Sequence, residues 1–164
     1  MIDFVVIPEE RMKTLKRDKT WKEQLKNFSD VKIKLNDEVS IESKNLFQVL
    51  RVKEVIKAFG RGFDFDTALS LLDEDYFLDP IEIKDFSGKS RKRQLVLKGR
   101  VIGTKGKMKK IIEKYCDVKI AIYGKTISII GKWDRVTLAK KAIEMLLHGA
   151  MHITVYRFLE KQKR

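Results

Sequence analysis

The chain has 164 residues, with 36 Lys and Arg against 23 Asp and Glu and a formal net charge of +13. That length holds two small domains, and the positive balance points to a polyanionic partner. A single cysteine, Cys116, excludes an internal disulfide, and no apolar run is long enough to span a membrane. Acidic residues among the first ten argue against a secretory leader, so the expectation is an intracellular, cytoplasmic protein with no membrane partner.

Phe4-Val5-Val6-Ile7 reads as a first strand. Val31-Lys32-Ile33-Lys34-Leu35 and Val39-Ser40-Ile41 alternate as half-buried strands do, and Leu46, Val49, Leu50, Val52, Ile56 and Phe59 form a helical face that ends at Gly60. Residues 62–80 mix Phe63, Phe65, Leu69, Leu72 and Tyr76 with five Asp and one Glu. This mixture predicts an amphipathic helix, ended by Pro80, that covers the first domain or bridges the two. Ser87-Gly88-Lys89-Ser90 marks the linker, and the domains are expected at 1–80 and 81–164.

Leu95-Val96-Leu97 reads as a strand, and Met108, Ile111 and Ile112 recur at helical spacing. Val118-Lys119-Ile120-Ala121-Ile122, the turn Tyr123-Gly124-Lys125 and Ile127-Ser128-Ile129 form a hairpin. From Trp133 to His148 a helix puts Val136, Ala139, Ala142, Ile143, Leu146 and Leu147 on one face, with Gly149 as its stop.

Between these elements lies Gly103-Thr104-Lys105-Gly106-Lys107, a G-x-x-G among apolar residues and lysines. Glycines there let phosphates approach the backbone, and the loop's amides open the following helix at its positive dipole end. The loop is expected to be exposed, so substitutions at Gly103 and Gly106 should spare the fold. The succession resembles the K-homology (KH) fold of β-α-α-β-β-α type, whose G-x-x-G loop clamps four backbone nucleotides of single-stranded RNA. Charge supports this independently. Residues 89–164 hold 21 Lys and Arg against 5 Asp and Glu, a net of +16, whereas residues 1–88 hold 15 against 18, a net of −3.

The candidate RNA-binding residues are Arg100, Val101, Ile102, Gly103, Thr104, Lys105, Gly106, Lys107, Lys110, Lys119, Ile120 and Ala121. Arg100, Lys105, Lys107 and Lys110 supply charge. Val101, Ile102, Ile111 and Ile120 offer an apolar floor or else serve as core. Strand backbone from Lys119 to Ala121 forms the opposite wall and reads base edges. Tyr123 either stacks on a base or closes its turn.

The acidic half repeats the pattern at an offset of 87, Val31–Leu35 matching Val118–Ile122, and the first domain therefore also looks KH-like. The same offset carries Gly103 and Gly106 onto Lys16 and Lys19, and both glycines are lost. Protein docking is favoured there over a second RNA clamp, and Asp18 would repel phosphate. No catalytic or metal site is expected. Walker and H-E-x-x-H motifs are absent, the acidic residues are scattered, and His148 and His152 lack a third ligand. No cofactor is expected either.

The fold class is thus α+β, two tandem KH domains with an extra C-terminal helix at Val155, Tyr156 and Leu159. Gly99-Arg100, Gly103–Lys107, Ile129-Ile130-Gly131, Ala142-Ile143 and Val155-Tyr156 resemble the partner-of-Nob family of KH-domain pre-ribosomal RNA processing factors, in its archaeal form. The resemblance implies binding near the 3′ end of small-subunit rRNA, association with the Nob endonuclease that matures that end, and a link to the alpha subunit of initiation factor two. Its C-terminal segment departs from the family, which often has prolines after the last KH helix. A general RNA-binding adaptor, such as an exosome-type KH subunit, and a nuclease are the competing classes.

Overall fold

Alternating apolar residues form two three-stranded sheets in the computed structural model, which describes residues 1–27 and 30–162. The chain divides into two compact units, Met1–Tyr76 and Phe77–Arg164. The first carries 14 Lys and Arg against 15 Asp and Glu, the second 22 against 8.

In the first unit β1 (Ile2–Val5) is followed by α1 (Glu9–Arg17), α2 (Thr20–Lys26), β2 (Lys32–Leu35), β3 (Val39–Glu42) and α3 (Leu46–Gly60). Both β1 and β2 pair antiparallel with β3, giving the order β1-β3-β2. Met12, Leu15, Trp21 and Leu25 from α1 and α2 join Val49, Val52 and Ile56 of α3 in the core. Asn45 starts α3 by accepting the Phe47 N–H at 2.9 Å.

The long helix expected over 62–80 does not form. Asp64 caps a single turn, α4 (Phe65–Ala68), and a 3-10 turn covers Leu69–Leu72. Asp73 then accepts the Asp75 N–H at 2.9 Å, and the chain extends as β4 (Tyr76–Glu82). Asp side chains that bond nearby backbone amides favour turns over helix continuation. Pro80 lies inside β4, which is tolerable because β4 is an edge strand of the order β4-β6-β5.

After a short α5 (Lys84–Ser87) the second unit continues with α6 (Arg91–Ile102), a 3-10 turn at Thr104–Gly106, α7 (Lys107–Cys116), β5 (Lys119–Tyr123), β6 (Thr126–Lys132), α8 (Trp133–Leu147) and α9 (His152–Gln162). Two expectations are corrected here. Leu95-Val96-Leu97 is helical, because Ser90 caps α6 and burial falls at Gln94, Leu97 and Val101; Leu95 remains 68% exposed. A run of three apolar residues does not distinguish helix from strand, and the strand that borders β6 is β4. Residues 87–90 are no linker but a tight turn between α5 and α6, made at Gly88 with φ 65°. The C-terminal α9 buries Val155 and Leu159 in this unit's core.

Candidate nucleic-acid interface

α6 ends where the Gly103 N–H donates to the Gly99 carbonyl at 2.8 Å. Gly103 then takes φ 75° and ψ 175°, a region open essentially to glycine alone. A Cβ there would stand 2.7 Å from both the Met108 nitrogen and its Cβ. Gly103 is therefore required by the turn itself, so substitution there does not spare the fold. Lys105 is left-handed at φ 55°, and Gly106, at φ 75°, has open space where its Cβ would be. Of the two glycines, Gly106 is the one whose missing side chain leaves an accessible surface.

No side chain caps the first turn of α7, so an outside acceptor can approach its amides. Thr104, Lys105, Lys107 and Lys110 are exposed around that turn, and Ile102 is half-buried. Lys105, Lys107 and Lys110 enter no ion pair among the described residues, whereas Lys109 approaches Glu113 at 4.0 Å.

Four candidates have structural roles instead. The Arg100 guanidinium donates to the carbonyls of Leu146 at 3.1 Å and Ala150 at 2.7 Å, closing the C-terminal end of α8. A cation at that end also meets the negative end of the helix dipole. Val101 and Ile120 are buried and serve as core, so of the four floor residues only Ile102 and Ile111 are half-exposed; Ala121, expected to act through its backbone, is buried as well.

The β5 wall differs as well. β5 is an edge strand, and the Ile120 N–H points outward, donating to Glu113 Oε2 at 3.0 Å. Lys119 and Ala121 stand opposite Ile130 and Ser128, so alternation turns their backbone groups toward β6. The outward donor of this stretch is already taken by a carboxylate. Lys119 keeps an exposed side chain. Tyr123 pairs with Thr126 across the hairpin and is half-buried.

A flank of the loop is built by α9. The Tyr156 hydroxyl lies 3.1 Å from that of Tyr115 on α7, with the rings edge-on. The hydrogen bond it shares with Tyr115, with the nearby Tyr115 and Glu160 charges, pushes the Tyr156 phenol up to about 12. His152 Nε2 sits 2.9 Å from the Arg100 carbonyl, so that nitrogen carries the proton. Gly103, Thr104, Lys107, Met108 and Ile111 on one side and His152, Ile153 and Tyr156 on the other line a concavity of about 290 Å³. The only sequence signal for this side was Val155, Tyr156 and Leu159, which spaces one helical face.

Among the described residues no group of His, Cys, Asp or Glu could hold a metal ion. His148 lies edge-on to Phe86, and burial pushes the Cys116 thiol up to about 11, which keeps it unreactive at neutral pH. No helix among the described residues is long and apolar enough to cross a membrane.

In the first unit the corresponding connection has another chemistry. Asp18 and Lys19 have φ −114° and −101°, with no left-handed residue, and α2 starts at Thr20. Asp18 Oδ1 accepts the Thr20 N–H at 3.1 Å, and bonds from the Thr20 backbone and side chain hold its carboxyl below the usual range.

Residues 77–164 match the family described as eukaryotic-type KH domain (KH-domain type I), in its PNO1 second-domain form. The chain belongs to the PNO1/Dim2 family of KH-domain pre-rRNA-processing proteins. A KH domain-containing protein of Methanocaldococcus jannaschii is 32% identical over 170 residues, 99% of this chain and 74% of that one. RNA-binding protein pno1 of Drosophila melanogaster is 32% identical over 119 residues, 72% of this chain and 50% of its own length. Pre-rRNA-processing protein pno1 of Aspergillus fumigatus is 32% identical over 114 residues, covering 66% and 44% of the two chains. This chain thus spans about half of its insect and fungal PNO1 relatives. Among solved structures, a chain of the a/eIF2alpha–aDim2p–rRNA complex of Pyrococcus horikoshii superposes with a TM-score of 0.89 at 33% identity, covering 99% of this chain and 94% of that one.

Proposed function

We propose that this protein binds single-stranded RNA through the Gly103–Gly106 loop and acts in maturation of the 3′ end of small-subunit rRNA. Thr104, Lys105, Gly106, Lys107 and Lys110 hold the phosphates, with Ile102 and Lys119 flanking the strand. The observation that carries this reading is the open backbone at Gly106, followed by an uncapped helix start and three lysines without ion pairs among the described residues. Family membership supports it, as does the complex of the Pyrococcus relative with rRNA. The same complex supports a partner of the initiation factor two alpha type. A Nob-type endonuclease as second partner and a cytoplasmic place of work belong to the proposal through the resemblance read from the sequence alone.

The first unit is, in this reading, a second KH domain that has lost its clamp and docks protein, with the division between domains at Tyr76. With the short α4 and α5 and the terminal α9 set aside, both units share the element order β-α-α-β-β-α around equivalent strand orders. In both, an arginine closes the 15-residue helix, α3 or α8. Arg11 donates to the carbonyls of Phe59 at 2.9 Å and Phe63 at 2.7 Å, the counterparts of Leu146 and Ala150 at the 87-residue offset.

Gly106→Asp tests the function. Its φ of 75° is one that Asp tolerates better than most residues, so the fold should persist while a carboxylate faces the incoming phosphate. The expected result is a loss of roughly a hundredfold or more in affinity for single-stranded RNA of the 3′-terminal small-subunit sequence, with an unchanged circular dichroism spectrum. Near wild-type affinity would overturn the reading.

A further inference from the structure

The concavity between the loop and α9 adjoins the proposed phosphate site, since Gly103, Thr104 and Lys107 of its lining belong to the loop and the start of α7. We infer that it is a nucleobase pocket, which takes the base of a nucleotide whose phosphate rests on the Gly103–Gly106 turn. The inference rests on the proposed RNA-binding function and adds a base site outside the edge of β5.

Four observations converge. Ile111 and Ile153 present aliphatic surface and Tyr156 an aromatic ring to one cleft, the kind of lining that accepts a flat base of any identity. At about 290 Å³ the cleft is at the lower end of small-ligand sites, suited to a single base and its sugar edge rather than a larger ligand. Its lining carries one cation, Lys107, exposed and without an ion pair among the described residues, and Lys105 is exposed next in sequence to the lining residue Thr104; both favour a polyanion over an apolar peptide side chain. Its floor is pre-formed: His152 is fixed to the Arg100 carbonyl and Tyr156 to Tyr115. A base entering this cleft meets walls already held in place, so little ordering cost accompanies it.

The cleft also compensates for what β5 lacks. With the Ile120 N–H committed to Glu113, that edge offers no free backbone donor among residues 119–121, whereas the α9 side offers stacking area. Stacking is tolerant of sequence, so this pocket adds affinity more than it discriminates between bases.

The test uses the full chain and a single-stranded oligonucleotide of the 3′-terminal small-subunit rRNA sequence, intact and with each nucleotide in turn made abasic. Ile153→Asp alters a cleft residue that is 51% exposed, and Met151→Asp, at a 67% exposed position outside the lining, controls for added charge. In the wild type, abasic substitution at one position should cost roughly tenfold in affinity. Ile153→Asp should weaken intact RNA by a similar factor and abolish the penalty at that one position, leaving the penalties elsewhere unchanged; Met151→Asp should do neither. Equal effects of the two variants would overturn the pocket and indicate general charge repulsion. Unchanged RNA affinity in Ile153→Asp, with loss of a protein partner instead, would assign the cleft to a protein side chain. Failure of the function itself reads differently: Gly106→Asp would then bind RNA as the wild type does, or the wild type would not bind at all.

Discussion

In each unit an arginine, Arg11 on α1 and Arg100 on α6, reaches two carbonyls at the C-terminal end of a 15-residue helix, α3 and α8, and these two helices lie at an offset of 87. Between the paired helices the likeness stops. The second unit turns through Gly103, Lys105 and Gly106, all at positive φ, and leaves open backbone before α7. The first turns through Asp18 and Lys19 without a positive φ, and places a hydrogen-bonded carboxylate there. A scaffold kept by core packing tolerates either connection, whereas a phosphate site depends on the local backbone and is lost with its glycines. Gly103 serves the turn itself, whereas in the proposed function the residues after it, Thr104 to Lys107, hold the RNA.

The sharpest break within the comparison is Gly103→Ala. The Cβ meets Met108 at 2.7 Å and the backbone lies in a glycine-only region, so a loss of ~2–4 kcal/mol is expected in urea unfolding. Gly106→Ala, with strain but no clash, should cost only ~1–2 kcal/mol. Equal losses would show that the two glycines do one job.

Arg11→Ala and Arg100→Ala should each lower stability by about 2 kcal/mol, because each removes a charged donor from two carbonyls. Arg11→Ala should cost slightly more, since its guanidinium also lies 3.9 Å over the Phe59 ring. Loss from one variant and none from the other, measured by thermal unfolding, would break the equivalence of the two closures.

Lys105→Ala should reduce the slope of log affinity against log salt by ~0.7, the value for one phosphate contact on a single strand. Lys16→Ala should leave the slope unchanged. A matching decrease in both would mean that the first unit also grips RNA and that its docking role is wrong.

The smallest effect concerns Tyr156. Its phenol is held protonated up to about pH 12, against about 10 in an unfolded chain. Between those values the folded state retains a proton that the unfolded state has lost, so this contribution is present below pH 10 and disappears as pH rises toward 12. Ultraviolet titration should show one late tyrosine, and Tyr115→Phe should bring it forward.

Much of this organisation is legible in the sequence because it is local. The 3.6-residue spacing of Met108, Ile112 and Cys116, the alternation in β5 and β6 and the apolar face of α8 each report burial on one side of one element. The demand for glycine at 103 and 106 is likewise a property of two dihedral angles. Short apolar runs are not decisive in this way: Leu95-Val96-Leu97 fits strand and helix alike, and Tyr76–Glu82 is hidden as a strand by the Asp-rich turn before it.

Destinations across the chain belong to the tertiary structure. Arg100 reads as a phosphate ligand beside the loop, but its guanidinium is drawn 46 and 50 residues away to the C-terminal end of α8, where it donates to the Leu146 carbonyl and to that of Ala150 just beyond the helix. Ile120 reads as part of a base-reading edge, but burial turns its side chain into the core and Glu113 satisfies its amide. The α9 wall depends on Tyr115 meeting Tyr156 across 41 residues. Periodicity records which way a residue faces on its own element; which partner waits there is decided only when the elements pack.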